Sequence, residues 1–163
     1  MGLFLSTWVN KVDKKGRVSI PASFRSTLSA GQAAGTATEM VIFPSLKAQA
    51  LDACTLSHLE KLSEALDNPN MPDDDRELIE TAVFGQSVQL TLDPEGRVIL
   101  PDHLMAFAGI TETVTFIGRR NTFQLWDPTA FAAHEQVVRE QARSNNISLS
   151  TILARATSLA KGA

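Results

Sequence analysis

A single cysteine, Cys54, is the only thiol in this 163-residue chain. An internal disulfide is therefore impossible, and one cysteine with three scattered histidines offers no metal-ligand spacing. A reducing, cytoplasmic compartment is the expectation. Long apolar runs are missing too: nothing approaches the roughly 18 residues that a membrane span requires. With 44% hydrophobic and 20% charged residues, the composition is that of a soluble globular protein. The N-terminal stretch MGLFLSTWVNK has no basic leader, and Ser6 and Thr7 interrupt its apolar part, so it does not read as a secretory signal. Met1 to Ser6 fits a short myristoylation pattern, but the same residues read as a strand entering the segment that follows. Also missing are a nucleophile beside a base, a phosphate-cradling Gly-rich loop and paired metal ligands. An enzyme, a cofactor and a small-molecule substrate thus have no support. His58 and His134 fall in helical sequence and His103 in an expected first helical turn, all three as surface or packing residues.

What the chain does contain is one device used twice. Residues 13–21 read DKKGRVSIP and residues 93–101 read DPEGRVILP, eighty positions apart. Such an internal repeat governs the reading of everything else. Asp13 and Asp93 suit the first position of a type I turn, Pro94 suits the second, and Gly16 and Gly96 stand where the backbone needs positive φ. Val18 and Ile20 then alternate with Arg17 and Ser19, and Val98 and Leu100 with Arg97 and Ile99, the period-two pattern of a half-buried strand. Each arginine is therefore expected to point away from the core. Pro21 and Pro101 end the strands and fit the first turn of a short helix. Phe24 with Leu28, and Leu104 with Ala108, supply each helix with an apolar stripe to press on the strands. The eighty-residue period favours two small, similar units packed together.

Further strand-like sequence closes each unit, at residues 35–44 and 113–128, the second broken by a hairpin turn at Gly118 to Asn121. Between the units, Ser45 is expected to cap a helix carrying Leu51, Thr55, Leu59, Leu62 and Leu66, ended by DNPNMP. Asp73 to Asp75 read as the acidic first turn of another helix rather than a metal site. Residues 129–143 form a helical pattern with Phe131, Val138 and Ala142 inward, and a last helix spans Ser148 to Leu159, with frayed residues after it. The resulting division is 1–48, a helical connector 49–81, then 82–128, and a helical segment 129–163.

Charge is segregated along this plan. The net charge is −3, but the first 25 residues hold Lys11, Lys14, Lys15, Arg17 and Arg25 against Asp13 alone, a local +4. The remaining residues carry −7, from 10 cations and 17 carboxylates. A basic cluster of this kind is the footprint of a nucleic-acid partner.

The two strings, each followed by a short helix, together with residues 4–25, 82–104 and the closing strand ending in Leu125 and Trp126, resemble the MraZ family of bacterial transcriptional regulators. The resemblance implies an α+β fold, a double-split β-barrel of two AbrB-like swapped-hairpin repeats with peripheral helices. It also implies assembly of several chains into a ring homo-oligomer. The implied task is binding double-stranded DNA at short promoter repeats upstream of a cell-division and cell-wall gene cluster that includes its own gene, usually as a repressor. DNA contact in that family is associated with the basic residues of the D-x-x-G-R loop, which here are Lys14, Lys15 and Arg17, with Lys11 beside them. The second loop departs from the pattern, because Asp93, Pro94 and Glu95 leave it net acidic even with Arg97 counted. It is therefore expected to be structural or an interface, with Arg97 in a salt bridge to Asp93, whereas Arg17 is expected to serve DNA rather than Asp13. Arg97 and Arg25 are secondary DNA candidates, Arg25 reading first as a solvated helix charge. Arg119 and Arg120 read as exposed hairpin charges, and Trp8 and Trp126 as core or interface. The competing functions are a protein-interaction scaffold and an antitoxin-like AbrB module. The duplicated unit and the want of a disordered tail weigh against the antitoxin.

Overall fold

A computed structural model describes residues 2–161. Met1, on which the myristoylation pattern depends, and the last two residues, expected to fray, lie outside the described residues. Two compact units result, Met1–Pro128 and Thr129–Ala163.

The first unit is built from eight strands and four α-helices. In chain order they are β1 (Thr7–Lys11), β2 (Arg17–Ser19), α1 (Ala22–Ser29), β3 (Glu39–Pro44), β4 (Leu51–Cys54), α2 (Leu56–Leu66), α3 (Asp73–Ala82), β5 (Val88–Thr91), β6 (Arg97–Ile99), α4 (Asp102–Ala108), β7 (Thr113–Gly118) and β8 (Phe123–Trp126). Six strands form one antiparallel sheet in the order β1-β7-β8-β4-β3-β5, while β2 and β6 form a separate two-stranded ribbon. The mixed α+β class expected from the sequence is thus found.

Apart from the hairpins β3–β4 and β7–β8, the strands of one repeat pair with those of the other. β1 lies on β7, β5 on β3, β4 on β8, and β2 on β6 with Val18 directly opposite Val98. The apolar partners of one repeat are supplied by the other. Val18, Ile20, Phe24 and Leu28 join Val98, Leu100, Leu104 and Ala108 in one core with Phe4, Phe116 and Phe123. Phe123 sits 4.9 Å from both Phe4 and Phe24, the offset contacts aromatic rings prefer. Gly118 is required where β7 passes the backbone of Phe4 and Leu5, because a Cβ there would collide with both. A smaller cluster on the other face of β3 and β4 packs Val41, Cys54, Leu59 and Val83 with Phe43, Leu62 and Ile79. Burial next to Asp52 pushes the Cys54 thiol up to about 12, so this residue packs as an apolar group.

Several expectations need correction. The helix does not begin at Ser45: residues 51–54 are strand β4, and α2 starts at Leu56 with the Thr55 hydroxyl accepting from the His58 N–H at 3.0 Å. The stretch 49–81 is therefore part strand. Leu51 suits a helical spacing with Thr55 as well as a period of two with Ala53, and flanking β3 and β8 decide the matter. Pro21 and Pro101 stand one residue earlier than expected, as N-caps with extended backbone. Trp8 is exposed, unlike buried Trp126. α3 does open on Asp73 to Asp75.

The second unit continues α5 (Pro128–Ser144) and holds α6 (Leu149–Lys161). Within α5 Phe131 is buried, but Val138 is exposed rather than inward and Ala142 only half-buried. A helical period identifies a stripe; it does not supply the surface that covers it.

Candidate nucleic-acid interface

Both D-x-x-G-R loops fold by the same local chemistry. Asp13 Oδ1 accepts from the backbone N–H of Lys15 at 2.9 Å and of Arg17 at 2.8 Å, while Oδ2 accepts from Arg17 Nε at 2.7 Å. The main chain closes the turn through Gly16 N–H to Asp13 O, and Asp13 N–H to Arg17 O. Asp93 repeats these contacts with Glu95 and Arg97 at 2.9 to 3.0 Å. Donation from the Arg17 main chain first, and then from its side chain and Lys15, holds the Asp13 carboxyl below the usual aspartate range. Arg97 does the same for Asp93. Gly16 at φ +81° and Gly96 at φ +79° occupy the left-handed region that permits so tight a loop.

The salt bridge expected at Asp93 and Arg97 forms, and the one set aside for Asp13 and Arg17 forms as well. That corrects the picture of Arg17 as a cation reserved for an outside partner. The bridge is made through Nε, from a side chain that is 34% exposed, and Asp13 is the carboxylate it engages. Arg97 differs: its Nη2 lies 3.3 Å from Glu95 Oε2.

The ribbon brings the two motifs together. In the register Arg17 to Ile99 and Ser19 to Arg97, these four residues share the outer face while Val18 and Val98 are buried beneath. Leu100 N–H donates to Gly16 O and Ile20 N–H to Gly96 O, so each loop is fastened to the other repeat's strand. Two arginines eighty positions apart thus stand on one small surface. Lys11, Lys14 and Lys15 are exposed around the Arg17 end, and Asn10 Nδ2 fixes the ribbon by donating to Ser19 O at 2.7 Å.

Arg25 is not a solvated charge. Its Nη1 donates to Ile20 O at 2.6 Å, and its stem covers Gly96 so closely that a Cβ there would lie 2.5 Å from Arg25 Cδ. It is a clasp on the second loop, and the only signal for it in the sequence is a glycine from the other repeat. Arg119 donates to Gln124 Oε1 at 3.0 Å, and Gln124 in turn donates to Asp52, which orders the hairpin rather than leaving Arg119 free. Burial raises the Asp52 carboxyl above its ordinary value. His58 is half-buried, His103 and His134 are exposed, and among the described residues no three His, Cys, Asp or Glu side chains are grouped to hold a metal ion. No helix among those residues is long and apolar enough to cross a membrane.

Comparison with known proteins agrees with this architecture. The family profile described as "MraZ protein, putative antitoxin-like" matches residues 83–157. Proteins named "Transcriptional regulator MraZ" from Rickettsia akari and Rickettsia africae are each 38% identical over 149 residues, spanning 91% of this chain and 97% of theirs. The relative of that name from Rickettsia bellii is 37% identical over 150 residues, with the same coverage. With 38% identity over 91% of its length, the chain belongs to the MraZ family.

Proposed function

We propose that this protein is a transcription regulator that binds double-stranded DNA through its first D-x-x-G-R loop. The observation that carries the reading is the contrast between the two guanidinium groups: Arg17 is bridged to Asp13 in a loop that also carries exposed Lys14 and Lys15, with exposed Lys11 just before it, whereas Arg97 is bridged to Glu95 as well as to Asp93. A guanidinium fork can reach a guanine edge bidentately, and lysines around it neutralise phosphates with release of counterions. The functional division is then a DNA-contacting first unit at residues 1–48, a connector at 49–81, a second unit at 82–128 whose loop is structural, and a helical segment at 129–163. Strand exchange between repeats supports naming the fold a double-split barrel of swapped hairpins.

Four cations per chain make a weak site. A ring of chains solves this, because one bound subunit raises the effective concentration of its neighbour at an adjacent DNA repeat. Strand β1 at the sheet edge, with Leu3, Leu5, Trp8 and Val9 exposed, provides a surface for such assembly. The resemblance to that family supports a target of short repeats upstream of a cell-division and cell-wall gene cluster including its own gene, repressed by a cytoplasmic, nucleoid-associated protein. Footprinting on DNA upstream of its own gene should show protected short repeats. In gel-shift titration Arg17→Ala should lose specific binding with the oligomer intact; full retention of operator affinity overturns the assignment.

A further inference from the structure

We propose that Ile99 reads sequence in the DNA interface, as an apolar contact for a thymine methyl group beside the bases that Arg17 reaches. The inference rests on the DNA-binding reading above and extends it to a residue of the second repeat. Ile99 is 61% exposed at one end of the ribbon's outer face. Neighbouring Val98 and Leu100 already supply the buried contacts, so Ile99 is not needed for the core. Its position is specific: it pairs directly with Arg17, and its Cγ2 lies 3.8 Å from where a Cβ on Gly16 would stand. The loop tip that carries Lys14 and Lys15 therefore has one large apolar side chain resting against it, lent by the other repeat.

Isolated exposed apolar residues are ordinary on protein surfaces. This one is paired with Arg17, in the strand just before which Lys14 and Lys15 stand, where phosphate attraction alone would favour a polar residue. The equivalent position in the first repeat shows that alternative, because Ser19 occupies it beside Arg97. A two-stranded ribbon fits the major groove, and the thymine C5 methyl is the apolar feature displayed there. Arginine with isoleucine is thus a pair able to report guanine next to thymine, while arginine with serine at the other end is not.

The test uses the full chain. Binding sites are selected from a randomised duplex pool, and each thymine of the selected site is replaced singly by uracil, which lacks only the methyl. The expected result is that one replacement weakens wild-type binding about fourfold, the effect of withdrawing one methyl from an apolar contact. Ile99→Ser should bind that site more weakly by a similar factor, be indifferent to the same replacement, and keep the wild-type salt dependence and oligomer size. Wild-type indifference to uracil at every position overturns the assignment, and does so even where Ile99→Ser fails to fold. A response of Ile99→Ser equal to wild type overturns it too. The two readings fail separately: a pool that yields no enriched sequence removes the DNA-binding reading and this one with it. An enriched, Arg17-dependent site without methyl sensitivity removes only the role of Ile99.

Discussion

The two D-x-x-G-R loops have almost the same backbone and opposite electrostatics. Each is closed by an aspartate that accepts from two backbone N–H groups and one arginine Nε, and each has a glycine near φ +80°. Around that shared frame, the first loop places Lys14 and Lys15 and the second places Pro94 and Glu95. The frame is a folding requirement, and what it presents is free to diverge. One loop is thus cationic and the other a clasped element, held by Glu95 on its own arginine and by Arg25 over its glycine.

Exchanging the loop residues breaks the comparison most severely. Lys14→Pro with Lys15→Glu gives the first loop the chemistry of the second. DNA affinity should drop steeply, and the slope of log affinity against log salt should flatten by about 1.8 per engaged loop, since two phosphates would no longer be neutralised. An unchanged slope in anisotropy titrations would mean that these lysines never met phosphate.

A smaller effect sharpens the structural half. Gly16→Ala and Gly96→Ala each force an alanine into the left-handed region, a cost of about 1–2 kcal/mol in denaturant unfolding. Gly96→Ala should cost about 1 kcal/mol more, because its Cβ displaces Arg25 and its hydrogen bond to Ile20 O. In an Arg25→Ala background that surplus should vanish, while the Gly16 penalty stays the same.

The smallest effect is on pH. Both loop aspartates have folded values lowered from the ordinary 3.8 by their hydrogen bonds. Their contribution is therefore present above the unfolded value and lost as pH falls through the lower folded one. As pH falls below about 4, the thermal stability of the wild type should drop more than that of an Asp13→Asn, Asp93→Asn variant, since the substituted amides do not titrate.

Local chemistry was legible in the sequence: the turns, the Val18 and Val98 alternation, and the Phe24 and Leu104 helix stripes all depend on residues within a few positions of each other. Pairings made across the chain were not. Nothing near Ile99 announces that it will lie beside Gly16, and nothing near Arg25 announces Gly96, because both contacts exist only once β2 and β6 meet. Residues 51–54 misled because Leu51, Ala53 and Thr55 suit two periodicities, and only the neighbours β3 and β8 select the strand. Of the two places expected for Trp8 and Trp126, core or interface, burial puts Trp126 in the core, while Trp8 is exposed on edge strand β1.

The central claim is the inequality of the two arginines, and operator affinities of Arg17→Ala and Arg97→Ala measured side by side test it most directly. Arg17→Ala should lose at least about a hundredfold, as when a bidentate base contact and a phosphate-facing charge are removed together, and Arg97→Ala less than about tenfold. Equal losses, or a larger one at Arg97, would contradict it.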